Sequence, residues 1–306
     1  MVFSRHRDLR RSLLKIGGLG ILAFPTLSVS DVLGINENQS AAGLPKIGLQ
    51  LFSVRKELKS NIDETLQMIS FIGYSGVETT TLTSTISDKE ISKSLKKNKL
   101  EVMAMHIDLP SNDAEKDRII QLSKEYKCNR IIWHGFPDKG LFKSEEEIIK
   151  LAQKCNRANQ FARSNKMIFG IHNHWWEFNK LDNGKIPFDI FIEHLDKNIF
   201  FEIDAYWIAI TGVDPVEVIK KLSSRVPIIH LKDGPVEWSS EFNDPYPDPM
   251  LALGTGKLNI PAIIKASGNN AEWIVLELED CKTDMIQAVY ESYNYLSGKN
   301  LGSGTK

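Results

Sequence analysis

The sequence predicts one α/β domain, a single (β/α)8 TIM barrel over residues 46–300, and three observations lead to that prediction. First, short runs of apolar and β-branched residues alternate from Lys46 onward with longer amphipathic, lysine-rich stretches. Second, eight such pairs fill about 250 residues, which is the number and length that a closed barrel requires. Third, strict alternation implies parallel strands, because a crossover between parallel neighbours needs a connection of helical length.

The eight candidate strands are short and apolar. In chain order they are KIGLQLF (46–52), SGVETT (from 75), LEVMAMHI (100–107), NRIIWHG (from 129), MIFGIHNH (from 167), NIFFEIDAYW (from 198), PIIHLKD (from 227) and AEWIVLELE (from 271). Near-continuous apolar runs such as IFFEI and WIVLEL are typical of strands that are buried on both faces.

The eight connecting stretches are predicted to be helices. They are NIDETLQMISFIG, SDKEISKSLKKNK, SNDAEKDRIIQLSKEYK, SEEEIIKLAQKCNRANQFARSNK, FDIFIEHLDK, DPVEVIKKLSSR, NIPAIIKASG and TDMIQAVYESYNYL. In the first of them Asn61 or Ser60 is the expected N-cap, and Gly73 ends the helix. An open doubly wound sheet is the alternative fold, but the first strand–helix junction, LFSVRKELKS, has no glycine and lacks a dinucleotide-binding fingerprint.

Residues 1–30 predict an export signal that is not part of the fold. They contain five basic residues and one acidic residue, the stretch RRSLLK and an apolar run from Leu13 to Leu27, and they resemble a twin-arginine signal. A membrane anchor is the alternative, but the apolar run is short for a span of about 20 residues. We therefore expect an exported, periplasmic protein with a flexible lead-in at residues 31–45 and no stable membrane span in its mature form.

Charge and cysteine content narrow the classes of function. The formal net charge of the chain is −1, and residues 31–306 carry 33 basic and 38 acidic side chains, a charge of −5. A body with this balance lacks the basic surface that a nucleic acid requires, so we expect no nucleic-acid partner. The three cysteines are far apart, which argues against a disulfide framework and against a thiolate zinc site.

Histidines and acids gather at the predicted carboxyl ends of the strands, where barrel enzymes carry their active sites. The histidines are His106, His134, His172, His174 and His230, and the acids are Glu78, Asp204, Asp233, Glu277 and Glu279. Carboxylates inside such apolar strands are costly to bury without a metal ion or a cationic partner. Imidazole and carboxylate ligands together suit one divalent ion such as Mn²⁺, Zn²⁺, Co²⁺ or Mg²⁺. Carboxylate–lysine pairs between neighbouring strands are the alternative.

Aromatic residues are frequent at the same predicted rim. They are Phe52, Trp133, Trp175, Trp176, Tyr206, Trp207 and Trp238. Aromatic faces can cover the apolar C–H side of a sugar ring, although ordinary packing between strands and helices is an equal alternative. The segment 234–258 is too long for a simple connection and is a candidate lid over the site.

The motifs IGLQLFSVR, GYSGVE, HNHWWEF, EIDAYWIAITGVDPVEVI, HLKDG, LGTGKLNIPAII and VLELED resemble, in their order and spacing, the xylose isomerase-like barrel proteins. The resemblance implies one metal ion held by a glutamate, an aspartate, a histidine and a glutamate from strands five to eight. Asp204, His230 and Glu277 match three of these positions. On strand five this chain has His172 where a glutamate is common, so the resemblance suggests His172 as the fourth ligand, with His174 and Glu177 as alternatives.

The resemblance implies a metal-dependent sugar isomerase or epimerase that abstracts a proton next to a carbonyl, with a small-molecule sugar as its partner. The expected catalytic residues are Glu277, His174, Glu177, His106 and Lys232, and the expected substrate-binding residues are Phe52, Arg55, Trp133, Trp175 and Trp207. A lyase, dehydratase or hydratase acting on a keto-sugar or 3-keto-glycoside shares the first step and is the second reading. A non-catalytic carbohydrate-binding barrel is the third. An endonuclease of the same family would require three metal ions and a basic surface, and the charge of −5 argues against this reading. The sequence does not determine whether the protein forms a homo-oligomer.

Overall fold

A computed structural model of the chain describes residues 43–80, 87–135, 142–236 and 250–306. It contains a closed barrel of eight parallel strands in the order of the sequence, which confirms the predicted fold class. The strands are β1 (Lys46–Gln50), β2 (Gly76–Thr79), β3 (Glu101–Ile107), β4 (Arg130–Trp133), β5 (Ile168–His172), β6 (Phe200–Asp204), β7 (Ile228–Leu231) and β8 (Trp273–Leu276).

The helices of the described ranges cover the outside of this barrel. They are α1 (Arg55–Ser60), α2 (Ile62–Ile72), α3 (Asp88–Lys97), α4 (Asp113–Tyr126), α5 (Glu145–Ser164), α6 (Pro187–His194), α7 (Ala205–Ala209), α8 (Pro215–Leu222), α9 (Ile260–Ala266) and α10 (Met285–Gly298). Short 3-10 turns occupy Leu51–Val54, Trp176–Phe178 and Ser223–Arg225. Each predicted helix is present, and Asn61, rather than Ser60, is the N-cap of α2, since its side chain accepts a hydrogen bond from Glu64 N.

All eight strands are shorter than the runs that the sequence suggested, and in two of them a side chain explains where the strand ends. The run from Asn198 to Trp207 leaves the sheet at Asp204, because the Asp204 side chain caps α7. The first strand ends at Gln50, whose side chain accepts from Phe52 N and starts a 3-10 turn. In both cases a side-chain oxygen replaces the next ladder hydrogen bond and turns the chain out of the barrel.

Alternation along the strands separates the outer core from the barrel interior. Outward side chains such as Leu49, Phe169 and Ile229 are fully or almost fully buried beneath the helices. A cluster of buried apolar side chains, here called the apolar plug, is formed by Met103, Ala104, Ile132, Phe200, Ile228, Trp273 and Val275. Gly170 makes room for this plug, because a Cβ atom there would lie 2.3 Å from the Phe200 ring. The plug closes the barrel below the polar side chains that lie nearer the carboxyl ends.

The C-terminal residues pack against the amino-terminal end of the barrel. Ser303 forms a parallel bridge with Lys46, and Thr305 N donates to Gly73 O at 2.8 Å. Within the described ranges, none of the helices has the length and apolarity to cross a membrane. The predicted export signal at 1–30 and the lead-in up to residue 42 lie outside the described residues, as do Trp238 and the middle of the 234–258 loop.

Candidate functional site

The barrel interior above the apolar plug is lined by buried polar side chains. Each of them points inward from a strand or from the residues that follow it: Gln50, Glu78, His106, His172, Glu202, Asp204, His230, Lys232, Glu277 and Glu279. All ten are less than 9% exposed. Since charged groups are costly to bury alone, they must compensate one another or bind a ligand.

Four of these side chains form a compact set of metal-ligand type. One ligand atom from each of His172, Asp204, His230 and Glu277 lies within 4.8 Å of the others, and the residues come from four consecutive strands, β5 to β8. Two imidazoles and two carboxylates in a buried pocket suit a borderline divalent cation, so these residues fit a metal ion. They are the four residues that the sequence and the resemblance suggested as ligands.

The two oxygens of the Asp204 carboxylate have different partners. Oδ1 accepts hydrogen bonds from Tyr206 N at 3.0 Å and from Trp207 N at 3.1 Å, while Oδ2 faces His172 Nε2 at 4.0 Å. The Asn173 side chain holds the Asp204 backbone on both sides, accepting from its N–H at 3.0 Å and donating to its carbonyl at 3.2 Å. One oxygen therefore fixes the helix start, and the other is presented to the pocket.

Lys232 brings a cation into the same pocket. Its ammonium group contacts the carboxylates of Asp204 and Glu277 and lies 3.2 Å from Glu279 Oε1. Burial opposes the charge, but the two nearest carboxylates outweigh it and hold the pKa of Lys232 well above its usual value. Lys232 is therefore charged and balances two of the four donors in the absence of another cation.

A second layer of contacts lies beneath these donors. His106 Nε2 and His172 Nδ1 approach Glu202 Oε1 at 2.7 and 2.9 Å, and His230 Nε2 approaches Glu78 Oε2 at 2.7 Å. Burial alone would lower the pKa of His106, but Glu78 and Glu202 raise it to about 10. Burial and the charge of His230 hold the pKa of His172 well below its usual value, so His172 is neutral. Glu202 and Glu78 likewise hold the pKa of His230 well above its usual value against the effect of burial, so the layer combines two charged imidazoles, His106 and His230, with one neutral imidazole, His172.

Two carboxyl groups near the pocket have pKa values close to neutrality. Burial raises the pKa of Glu177 to about 8, and its Oε2 accepts from His174 N at 3.0 Å. Burial also raises the pKa of Glu279 to about 8, although the neighbouring Lys232 lowers it. Groups that titrate near the working pH are suited to proton transfer. Glu177 and His174 do not belong to the four-donor set, and the His174 ring lies 4.9 Å from the ring of His172, which does.

Aromatic rings form one wall of the pocket. Trp176 stacks on His174 with ring centroids 4.2 Å apart, and the Trp207 ring lies 6.3 Å from His174 and 5.5 Å from Lys232 Nζ. Trp175 meets the edge of Trp176 and is half-buried. The indole Nε1 of Trp207 is buried with no hydrogen-bond partner, which makes it a donor available to a ligand.

The other three predicted substrate contacts are Trp133, Phe52 and Arg55. Trp133 lies on the outward face of β4, where its ring meets Phe191 of α6 at 6.3 Å, and this placement does not support a substrate contact. The reason is alternation, since Ile132 before it points into the barrel. Arg55 lies over the Phe52 ring at 4.0 Å and donates to the Phe52 carbonyl, so these two residues pack on each other after β1. Their role in substrate binding stays a prediction.

Four site residues were not among the predicted catalytic, binding or ligand residues: Gln50, Glu78, Asn173 and Glu202. Alternation supplies the signal for three of them. Glu202 shares a face with Asp204, Glu78 with Gly76, and Gln50 with Gly48. Asn173 gives no such signal, because its function is to hydrogen-bond the backbone of a neighbouring strand.

Comparison with known proteins gives a family match over most of the chain. A family model described as a xylose isomerase-like TIM barrel matches residues 66–296. A search of curated proteins gives no match. Among solved structures, a sugar phosphate isomerase/epimerase from Parabacteroides distasonis is 21% identical, with a TM-score of 0.68, and the match covers 86% of this chain and 97% of that one.

Two further solved structures are similar in fold. A probable 3-DHS dehydratase from Bacillus anthracis is 17% identical, with a TM-score of 0.63 over 82% of this chain and 98% of its own. A 3-keto-D-glucoside 4-epimerase from E. coli is 15% identical, with a TM-score of 0.60 over 83% of this chain and 99% of its own. At such identities the likeness shows a shared barrel, while the reaction has to be argued from the pocket.

Proposed function

The chain belongs to the xylose isomerase-like TIM barrel family, and we propose that it is a metal-dependent sugar isomerase or epimerase that abstracts a proton next to a carbonyl. The observation that supports this most is the buried set of His172, Asp204, His230 and Glu277 at the carboxyl ends of β5 to β8. Two of the similar solved structures are named as a sugar phosphate isomerase/epimerase and a keto-glucoside epimerase, in agreement with this reaction class.

These four residues would hold a divalent ion, which would supply Lewis acidity toward a substrate carbonyl and its neighbouring C–H bond. We assign proton removal to Glu277. Burial would raise its pKa, but Lys232 and His230 hold the pKa of Glu277 well below its usual value, so the carboxylate is ionised. The Lys232 ammonium is the donor that stabilises the enediolate oxygen as negative charge develops there.

Proton return requires an acid on the other side of the substrate. Glu177 is suited to this step because its pKa of about 8 keeps much of it protonated at neutral pH, and it lies on the β5 side of the pocket while Glu277 follows β8. His174 and His106 are the further groups that we consider for this transfer. The rings of Trp175, Trp176 and Trp207 would cover the apolar face of a sugar.

The test is elemental analysis of the purified protein, followed by NMR of candidate sugars in deuterated water with the metal restored. We expect one bound divalent ion and deuterium next to the substrate carbonyl, with no loss of water or aglycone. Active protein without any metal ion would contradict the proposal. A His230→Ala variant treated identically is the control for exchange that does not depend on the pocket.

A lyase or dehydratase is the second candidate, and the identity of the fifth-strand residue favours it. His172 stands in the four-donor set where the family commonly has a glutamate, so the set holds a single glutamate, Glu277. Loss of a β-substituent after proton removal needs one base and one acid rather than a symmetric pair of bases. The similar dehydratase structure is consistent with this route. An eliminated fragment in the same NMR experiment would establish it over isomerisation.

We also propose that the protein is exported through its twin-arginine-like segment at residues 1–30. Cell fractionation of a tagged full-length chain tests this proposal. Replacement of both Arg10 and Arg11 by Lys should leave the protein in the cytoplasm, whereas unchanged export would contradict it.

A further inference from the structure

The two histidines of the donor set present their ring nitrogens in opposite directions. His172 places Nδ1 at 2.9 Å from Glu202 Oε1 and Nε2 at 4.0 Å from Asp204 Oδ2. His230 places Nε2 at 2.7 Å from Glu78 Oε2 and Nδ1 at 3.1 Å from Glu277 Oε2. In each ring one nitrogen contacts a carboxylate beneath the four-donor set, Glu202 or Glu78. The other nitrogen faces a carboxylate of the set itself, Asp204 or Glu277.

The lower distances are those of hydrogen bonds. Two ligands at about 2.1 Å from one tetrahedral ion are separated by about 3.4 Å, because the angle between them is close to tetrahedral. The contacts of Glu202 with His172 and of Glu78 with His230, at 2.9 and 2.7 Å, are the shortest of the four and match a shared proton, while the contacts of the other two nitrogens, at 4.0 and 3.1 Å, are nearer to the separation of two ligands. A carboxylate that accepts an N–H from a ligating histidine fixes the tautomer and the ring orientation.

We infer that Glu202 and Glu78 are positioning residues that accept the N–H of His172 Nδ1 and of His230 Nε2, leaving His172 Nε2 and His230 Nδ1 as the metal-binding nitrogens. The inference deepens the proposed function and depends on its metal site. Glu202 Oε1 also lies 2.7 Å from His106 Nε2 and 3.0 Å from His230 Nε2, so one carboxylate oxygen contacts all three of these imidazoles.

The competing arrangement is a second cation in the lower layer. One ligand atom from each of His106, His172, Glu202 and His230 also lies within 4.8 Å of the others. In addition, Glu202 Oε2 is buried without a hydrogen-bond partner, and Glu78 Oε1 lies 3.2 Å from His106 Nε2. The short contacts between imidazole and carboxylate favour protons over an ion here, and the number of ions bound distinguishes the two arrangements.

The first experiment uses the wild-type protein labelled with ¹⁵N in its seven histidines and zinc as the probe. Before zinc is added, we expect His172 to carry its proton on Nδ1. With one equivalent of Zn²⁺, the signals of His172 Nε2 and His230 Nδ1 should shift, and further zinc should have no effect. A proton on His172 Nε2 in the metal-free protein would overturn the inference whatever zinc does. Histidine signals that ignore zinc would instead overturn the metal-dependent function.

The second experiment compares Glu202→Gln with Glu272→Gln, which removes an exposed carboxylate at the opposite end of β8. We expect Glu202→Gln to weaken zinc binding by about 10- to 100-fold in calorimetry and to give a mixture of His172 tautomers, while Glu272→Gln changes neither. Unchanged affinity and tautomer in a folded Glu202→Gln protein, or two zinc ions bound by the wild type of which the variant loses one, would overturn the inference. If Glu202→Gln does not fold, the wild-type spectra still decide.

Discussion

Asp204 and His230 are partners in the parallel register of β6 and β7, and both point into the barrel. Both belong to the four-donor set, so loss of either side chain removes one ligand. We expect Asp204→Ala and His230→Ala each to remove tight metal binding, measured by elemental analysis after dialysis, and to abolish turnover. Asp113→Ala, which removes an exposed carboxylate from α4, should bind metal like the wild type. Full metal content in either site variant would refute the ligand set.

Lys232 competes with a metal ion for the same oxygens. Its ammonium group contacts Asp204 and Glu277, both of which belong to the donor set. Lys232→Met keeps the apolar stem and removes the charge, so we expect the Kd for Mn²⁺ to fall by about tenfold, equivalent to about 1.4 kcal/mol. Turnover should decrease at the same time, because the enediolate loses its donor. Calorimetry with Mn²⁺ measures the first effect, and weaker binding by Lys232→Met would show that the lysine supports the ion.

Asp233 fastens the two described ends of the loop that follows β7. Its carboxylate accepts backbone hydrogen bonds from Gly234, Gly254, Gly256 and Leu258. A Cβ atom at Gly256 would lie 2.1 Å from Asp233 Oδ1, so Gly256→Ala must push the carboxylate out of place. We expect a loss of about 3 kcal/mol in the free energy of unfolding, measured by urea denaturation.

The matched control for this substitution is Gly298→Ala at the end of α10, where a Cβ atom would meet nothing within 4 Å. It should leave the protein as stable as the wild type or slightly more stable, because alanine favours a helix over glycine. Equal stability of the two alanine variants would show that the loop relaxes around residue 256 at no cost.

The three cysteines differ in access to solvent, and this predicts their reactivity. Cys128 and Cys155 are buried, and burial raises the pKa of the Cys128 thiol to about 11, while Cys281 is partly exposed. At pH 8 the Cys128 thiol stays protonated, and only a thiolate attacks a disulfide reagent. We expect Ellman's reagent to titrate one thiol in the native protein and three in guanidinium chloride. A Cys281→Ser variant should give none in the native state, and rapid reaction of that variant would disprove the assignment.

Much of the architecture follows from periodicity. All eight strands and eight of the ten helices in the described ranges are predicted, because alternating apolar runs and amphipathic stretches leave few other arrangements, while α1 and α7 are missed. The α7 helix is missed because the predicted strand was continued through Asp204 into AYW, and periodicity cannot divide so short a segment into strand and helix. The capping side chain of Asp204 makes that division, and its type alone marks a helix start.

The site is predicted less completely, because side chains that are far apart in sequence come into contact only when the barrel is closed. Alternation indicates that Glu78 and His230 point inward, yet they are separated by 152 positions, and only the closed barrel makes them partners. The contact of Lys232 with both Asp204 and Glu277 likewise depends on the height of each residue in the barrel. Trp133 shows the converse, since alternation in β4 was sufficient to place it outward.

The bridge between Ser303 and Lys46 determines which way the molecule would face on a solid support. The last residues of the chain lie at the amino-terminal end of the barrel, where Thr305 bonds to Gly73. The candidate site lies toward the carboxyl-terminal end of the strands, on the other side of the apolar plug. A bead or sensor chip coupled through the C-terminus would therefore hold every molecule with the carboxyl-terminal ends of its strands toward the solution. Immobilised assays would then leave that end accessible to substrate.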